Sequence, residues 1–527
     1  MKRSSSLSFV FLALCGVSLG LGLGACAAEE PRSSAGAEGG NNGAGGAGGT
    51  GGDFDFSSSS SSGGIPSPPS PPPPPPPHDD DTLISAPADP VPLGCGTLDP
   101  STPAFFSVSA DDSNSMASPA HVRDLLRLGI EPFPGDVRTH EFLNYYTLQY
   151  PAAPPGQLTL FPELEAVAEE PKQLHFQVAV RSFAAIKPRK PMNITFLVDT
   201  SGSMQGPGLE RAKATVRAVA SQLAAGDLVA IVTWGAANNV LLGKHVTVGP
   251  DDPAILSVVD GLQANGGTDL ASGLNKGYDI AQENYAPGRI NRVIMISDGG
   301  ANVGVTDNTR IAMAAADADK EGIYLLGVAT GPALSHNDGI LNPLTDKGRG
   351  AYVYLDSVAE AQKMFVDRFD ETMDVAARSV SVEFTLPWYF KIHKFYGEEY
   401  TVVDGPVQVE PQHLAPSDAL IFSQVLEACD ASVIKPEDPV TVRVVWTTPI
   451  TYTKQTTEMT TTIGELLAAQ KKGLPKGKVI VAYAEALKRP TSKSLKDARA
   501  MALAYDPELI DPEIAEIVSL LEKHPQF

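Results

Sequence analysis

Positive charge is what this chain has least of. Its 40 lysines and arginines face 62 aspartates and glutamates, a formal charge of −22 over 527 residues. A surface of that sign does not neutralise phosphate, so nucleic acid and anionic lipid headgroups are excluded as electrostatic partners. Several sequence devices are missing as well. No G-x-x-x-x-G-K-[ST] phosphate loop occurs, and Gly206-Pro207-Gly208 fails as a dinucleotide fingerprint because Arg211 stands where the third glycine belongs. His140-Glu141 opens like a zinc-protease H-E-x-x-H but has Asn144 at the last position. Around Ser201 and Ser203 there is no G-x-S-x-G, and no histidine stands near in sequence to serve as a base. His336 sits in the loop GPALSHNDG and reads as a solvated loop residue. His245 and His336 could reach these serines only through the fold, so with these motifs missing the expectation is a protein that is not an enzyme.

Cysteine is scarce too, with four in the chain. Lys2 and Arg3 followed by the apolar stretch Leu7–Leu23 make a targeting segment, too short for a comfortable membrane span. Leu23-Gly24-Ala25-Cys26 then resembles the lipobox of bacterial lipoproteins. The resemblance implies cleavage before Cys26, acylation of that residue and attachment to the cell envelope. Ala27, rather than Asp, follows it and favours the outer membrane. With Cys15 in the signal and Cys26 lipidated, Cys95 and Cys429 remain, in a compartment where disulfides persist, and are expected to pair. From residue 27 to about 97 the chain is a Gly-rich tract, a serine run and a proline run, which act as coil and semi-rigid spacer.

Globular composition begins near residue 98. Helical spacing marks His121–Gly129 and Val137–Tyr146, and Leu174–Phe183 alternates like a half-buried strand. Between about 190 and 375 apolar strands alternate with amphipathic helices, the pattern of a mainly parallel, doubly wound α/β sheet. Asn193–Val198, Leu228–Thr233, Val293–Ser297 and Ile323–Ala329 read as strands, Val240–Val248 as an edge partner, and roughly Val358 to Met373 as a closing helix.

Ligands of such sheets lie beyond the carboxyl ends of the strands. Asp199-Thr200-Ser201-Gly202-Ser203, Gly266-Gly267-Thr268-Asp269 and Ser297-Asp298-Gly299-Gly300 converge there. Two carboxylates, two serine hydroxyls and a threonine suit a hard, oxygen-seeking dication, Mg²⁺ or Mn²⁺, and the lack of Cys or His disfavours zinc. The bland alternative is that these are turn and cap residues, with Thr268 capping a helix that starts at Asp269.

Asp199, Ser201, Ser203, Thr268 and Asp298 together resemble the metal-ion-dependent adhesion site of a von Willebrand factor type A domain, D-x-S-x-S with a distant Thr and Asp. The resemblance implies that Ser201 and Ser203 bind the ion directly, Thr268 directly or through water, and Asp199 and Asp298 mainly through waters. It also implies an open coordination position that an Asp or Glu carboxylate of a protein partner fills. Residues from about 100 to the end are similar to bacterial lipoproteins that carry such a domain between an accessory region and a further domain of unknown function.

The resulting scheme has a lipoprotein signal at 1–25, a lipidated linker at 26–97, an accessory region at 98–172 and a strand at 173–190 that can pair into a β module. The α/β domain at 191–375, a β-sandwich-like module at 376–462 and a helical region at 463–527 complete it. The functional expectation is envelope-anchored, metal-dependent capture of a protein; the alternative is an envelope scaffold in which the metal only braces loops.

Overall fold

The computed structural model describes residues 94–527 apart from 111–114, 236, 268, 300–321, 337, 403–408, 410–411 and 450. The expected signal, Cys26 and nearly all of the linker therefore lie outside the described residues, as does Thr268.

The central sheet is built from β4 (Met192–Asp199), β5 (Leu228–Trp234), β6 (Asn239–Val246), β7 (Ile290–Ser297), β8 (Tyr324–Ala329) and β9 (Arg349–Tyr354). Their order across the sheet is β6-β5-β4-β7-β8-β9. All neighbours run parallel except β6, which is the antiparallel edge. Every residue of β4, β5, β7 and β8 is buried, because helices cover both faces and leave no side for polar residues. Helices α3 (Pro207–Ala220), α4 (Pro253–Asp260) and α5 (Leu270–Asn284) supply part of that cover. The helix at Asp338–Gly348 and strand β9 escape the sequence reading: the helix contains Pro343, and β9 offers only a short apolar run. The expected continuous helix at Val358–Met373 is broken. A helix at Val358–Gln362 passes into a wider π-type turn at Lys363–Asp367 and resumes at Phe369–Met373. Arg368 sits at the break, pairs with Glu371 and donates to the carbonyls of Tyr145 and Asn144, so a tertiary contact overrides local periodicity.

The β framework is two sheets packed face to face. Its strands are β1 (Ala104–Ser109), β2 (Thr159–Ala166), β3 (Gln173–Arg181), β10 (Ala377–Leu386), β11 (Phe390–Phe395), β12 (Glu399–Val402), β13 (Gln412–Leu414), β14 (Ala419–Ala428), β15 (Pro439–Thr447) and β16 (Lys454–Thr462). One sheet has the order β12-β1-β10-β15-β16 with β13 paired to β10; the other has the order β11-β14-β3-β2. Phe176 and Phe422 of one sheet meet Phe384 of the other, at ring separations of 5.3 and 6.2 Å. The segment expected as an accessory region carries two strands of the sandwich, β1 and β2, and two helices, α1 (Ala117–Arg127) and α2 (Thr139–Tyr145).

Strand β3 pairs antiparallel with β14 from Gln173↔Glu427 to Arg181↔Ala419, so the α/β domain is inserted within the β framework. Phe183 on the way in and Ala376 on the way out share one small buried cluster with Ala153. Cys95 and Cys429 are joined by a disulfide, with Cα atoms 5.2 Å apart, closing a span of 334 residues. The carboxy-terminal helices complete the packing, with Tyr483 of the helix Leu474–Lys488 set 5.4 Å from the Phe142 ring of α2.

Candidate cation site at the carboxyl end of the central sheet

The site follows from how β4 ends. The strand is apolar until Asp199, whose side chain is fully buried and therefore must find its hydrogen bonds inside the protein. Its Oδ1 accepts the Ser201 backbone N–H at 2.8 Å, which folds the chain back into a tight turn. Its Oδ2 accepts the Ser297 hydroxyl at 2.8 Å, tying the end of β4 to the end of β7. Ser297 stands in the sequence motif without a role of its own there. Its position as the last residue of β7, beside β4 in the sheet, is the signal that points to it.

The second loop is strapped to the first by two backbone bonds. Asn265 N–H donates to the Thr200 carbonyl at 2.8 Å, and Gly202 N–H donates to the Gly266 carbonyl at 3.1 Å. Gly266 has φ +80°, a conformation that favours glycine. Thr268 lies outside the described residues. Asp269 caps α5, its Oδ1 accepting Ser272 N–H at 3.1 Å. Ser201 and Ser203 present their hydroxyl oxygens 3.0 Å from one another, Ser201 buried and Ser203 exposed. Asp298 follows β7 directly and is 5% exposed.

Four of the five sequence-chosen residues are therefore described, and the structure gathers the loops that carry them. Burial raises the Asp199 carboxyl above the ordinary aspartate range, and the neighbouring Asp298 charge adds to this, while hydrogen bonds from Ser201 and Ser297 oppose it. No lysine or arginine pairs with Asp199 among the described residues. No cluster of three or more His, Cys, Asp or Glu side chains able to hold a metal occurs among the described residues. The donors here are instead hydroxyls with two carboxylates near, an all-oxygen set that fits a small hard cation keeping some of its water.

His336 corrects the sequence reading. Its ring is half-buried, 4.6 Å from those of His121 and Tyr354, with Nε2 3.1 Å from the Tyr352 hydroxyl. It therefore packs into the protein instead of standing in solvent.

Comparison with known proteins agrees with this fold. Residues 194–301 match the von Willebrand factor type A domain, and the chain contains such a domain. The chain is similar to the protein YfbK of Escherichia coli (strain K12), 28% identical over 297 residues, which cover 54% of this chain and 50% of YfbK. It is also similar to inter-alpha-trypsin inhibitor heavy chain H1 of Sus scrofa, 26% identical over 224 residues, covering 40% of this chain and 24% of that protein. It thus spans about half the length of the first relative and a quarter of the second. A solved von Willebrand factor type A structure from Catenulispora acidiphila covers 71% of this chain and 90% of its own, at 16% identity and a TM-score of 0.41.

Proposed function

We propose that this protein captures another protein through a divalent cation, Mg²⁺ or Mn²⁺, at the carboxyl end of its central sheet. The observation that carries the reading is Asp199: a buried carboxylate that organises Ser201 and Ser297 with both oxygens and, among the described residues, has no cationic side chain paired with it. Ser201, Ser203 and Thr268 would hold the ion, with Asp199 and Asp298 acting through its waters. The bound cation supplies one electrophilic position that a partner's Asp or Glu carboxylate can fill. The protein's own share is to keep the hydroxyls converged and the carboxylates close but indirect, so that the ion retains its pull on an outside anion.

The leader and Cys26 support placing this activity in a bacterial cell envelope, held by acyl chains on Cys26 and presented on the Gly/Ser/Pro linker, with the outer membrane favoured. The test is capture of envelope proteins by the mature chain in Mg²⁺ against EDTA, with identification by mass spectrometry. Partners lost in EDTA and lost with Asp199→Ala support the reading. Equal capture in chelator overturns it in favour of a scaffold whose metal only braces loops. Membrane release of a Cys26→Ala variant tests the anchor separately.

A further inference from the structure

Behind Asp298 runs the segment that leaves β8. Thr330 N–H donates to the Ser297 carbonyl at 2.9 Å, continuing the sheet by one bond. At Gly331 the two backbones touch: a Cβ there would stand 2.5 Å from the Asp298 carbonyl oxygen and 3.1 Å from its Cβ. Gly331 is therefore backbone packed directly against Asp298, with no room between them for a side chain.

Two side chains bond to this segment, and a third, from another part of the chain, braces both of them. Arg211 of α3 donates to the Thr330 carbonyl at 3.2 Å and to the Gly331 carbonyl at 2.9 Å. The Tyr354 hydroxyl, at the end of β9, lies 2.9 Å from the Gly331 carbonyl and 2.8 Å from Asp124 Oδ2 of α1. Both neighbours only accept, so the hydroxyl's one proton is shared between them, and burial and the Asp124 charge keep that proton in place. Asp124 also stands 3.9 Å from the Arg211 guanidinium, completing a ring of contacts around the two carbonyls. A second contact from α1 reinforces the arrangement: the His121 Nε2–H donates to the Ala333 carbonyl at 2.9 Å.

We propose that Arg211, Tyr354 and Asp124 are positioning residues for the cation site, fixing Thr330–Gly331 behind Asp298. Helix α1, from outside the α/β domain, thereby becomes part of what sets cation affinity. The inference rests on the cation reading above and extends it from the oxygen donors to the residues that hold their support. Groups that orient metal ligands directly change metal affinity by about 10- to 100-fold when removed; Arg211, Tyr354 and Asp124 stand further back, behind Gly331 and Asp298, so the lower end of that range is expected of them.

The experiment is titration of the whole mature protein with Mg²⁺ alone, followed by calorimetry and by the rise in melting temperature over EDTA. Arg211→Ala and Tyr354→Phe are each expected to weaken Mg²⁺ binding about 10-fold, the lower end of the range for groups that orient metal ligands. Arg211→Lys is expected to recover part of the loss, because an ammonium still donates to the carbonyls. Tyr354→Phe keeps the ring and its packing, so it serves if Arg211→Ala does not fold, and its melting temperature in EDTA shows whether the fold is intact. Folded variants that bind Mg²⁺ as tightly as the wild type overturn the positioning role and leave the cation reading standing. A wild-type protein with no response to Mg²⁺ overturns both.

Discussion

Two buried aspartates sit at opposite ends of the same sheet, and they are held in opposite ways. Asp227, at the amino end just before β5, is 1% exposed and saturated from within the chain. It receives the Arg189 guanidinium at 2.5 and 3.3 Å, and the backbone N–H groups of Met192 and Ala224 at 2.7 Å each. Asp199, at the carboxyl end, receives one backbone N–H and a serine hydroxyl, and has another carboxylate for a neighbour. A buried carboxylate with a guanidinium and two amides is a structural joint. One met by hydroxyls, with a like charge beside it, leaves the balance to something from outside. On the proposed cation reading, the difference separates a residue that holds the domain together from one that serves a bound ion.

That contrast can be broken, and the largest effect belongs to the joint. Asp227→Ala strands a mostly buried Arg189 and two N–H groups, and is expected to cost about 3–5 kcal/mol in denaturant unfolding whether or not Mg²⁺ is present. If stability is unchanged, the two ends do not differ as described. Next in size is the Cys95–Cys429 bond in the β framework, away from both ends. Its reduction is expected to remove roughly 2–5 kcal/mol while leaving the Mg²⁺-induced shift in melting temperature intact. A lost Mg²⁺ response on reduction would tie the sandwich to the site. Smaller still, Asp199→Asn keeps an acceptor for Ser201 N–H and is expected to change stability in EDTA by no more than about 1 kcal/mol. The same variant should lose the Mg²⁺ response entirely, which differential scanning calorimetry with and without the ion will show.

The smallest effect is in pH. The folded Asp199 carboxyl holds its proton more readily than the unfolded one, so its ionisation works against the fold at high pH. The penalty is relieved as pH falls through the folded value toward the unfolded one. In EDTA the wild type should therefore gain stability relative to Asp199→Asn on acidification from neutral pH, since the variant's carboxamide does not titrate. An unchanged difference between the two proteins across that range would contradict the raised value.

How much of this is legible in the sequence depends on whether a residue's partner is near it along the chain. Strands buried on both faces, such as Phe196–Val198 and Val293–Ile296, announce themselves as apolar runs, and Asp199, Ser201 and Ser203 carry their spacing within five residues. Ser297 and Arg211 do not, because their meaning comes from neighbours 98 and 119 residues away. The fate of β1 and β2 is hidden for the same reason: each is a short apolar strand whose sheet is set by partners elsewhere. The break at Arg368 is invisible because α2 causes it, through the carbonyls of Asn144 and Tyr145.

The pairing of β3 with β14 also sets an order of events during synthesis. Ser182 and Asp418, bonded side by side in the finished protein, are separated by 236 residues of chain. As the polypeptide emerges, the β2–β3 hairpin displays a bare edge until residues 419–428 arrive, and an open edge is where strands of other chains add. The strands of the α/β domain, by contrast, are all made between those two moments. The α/β domain can be complete while the framework that carries it is still waiting for its last strands.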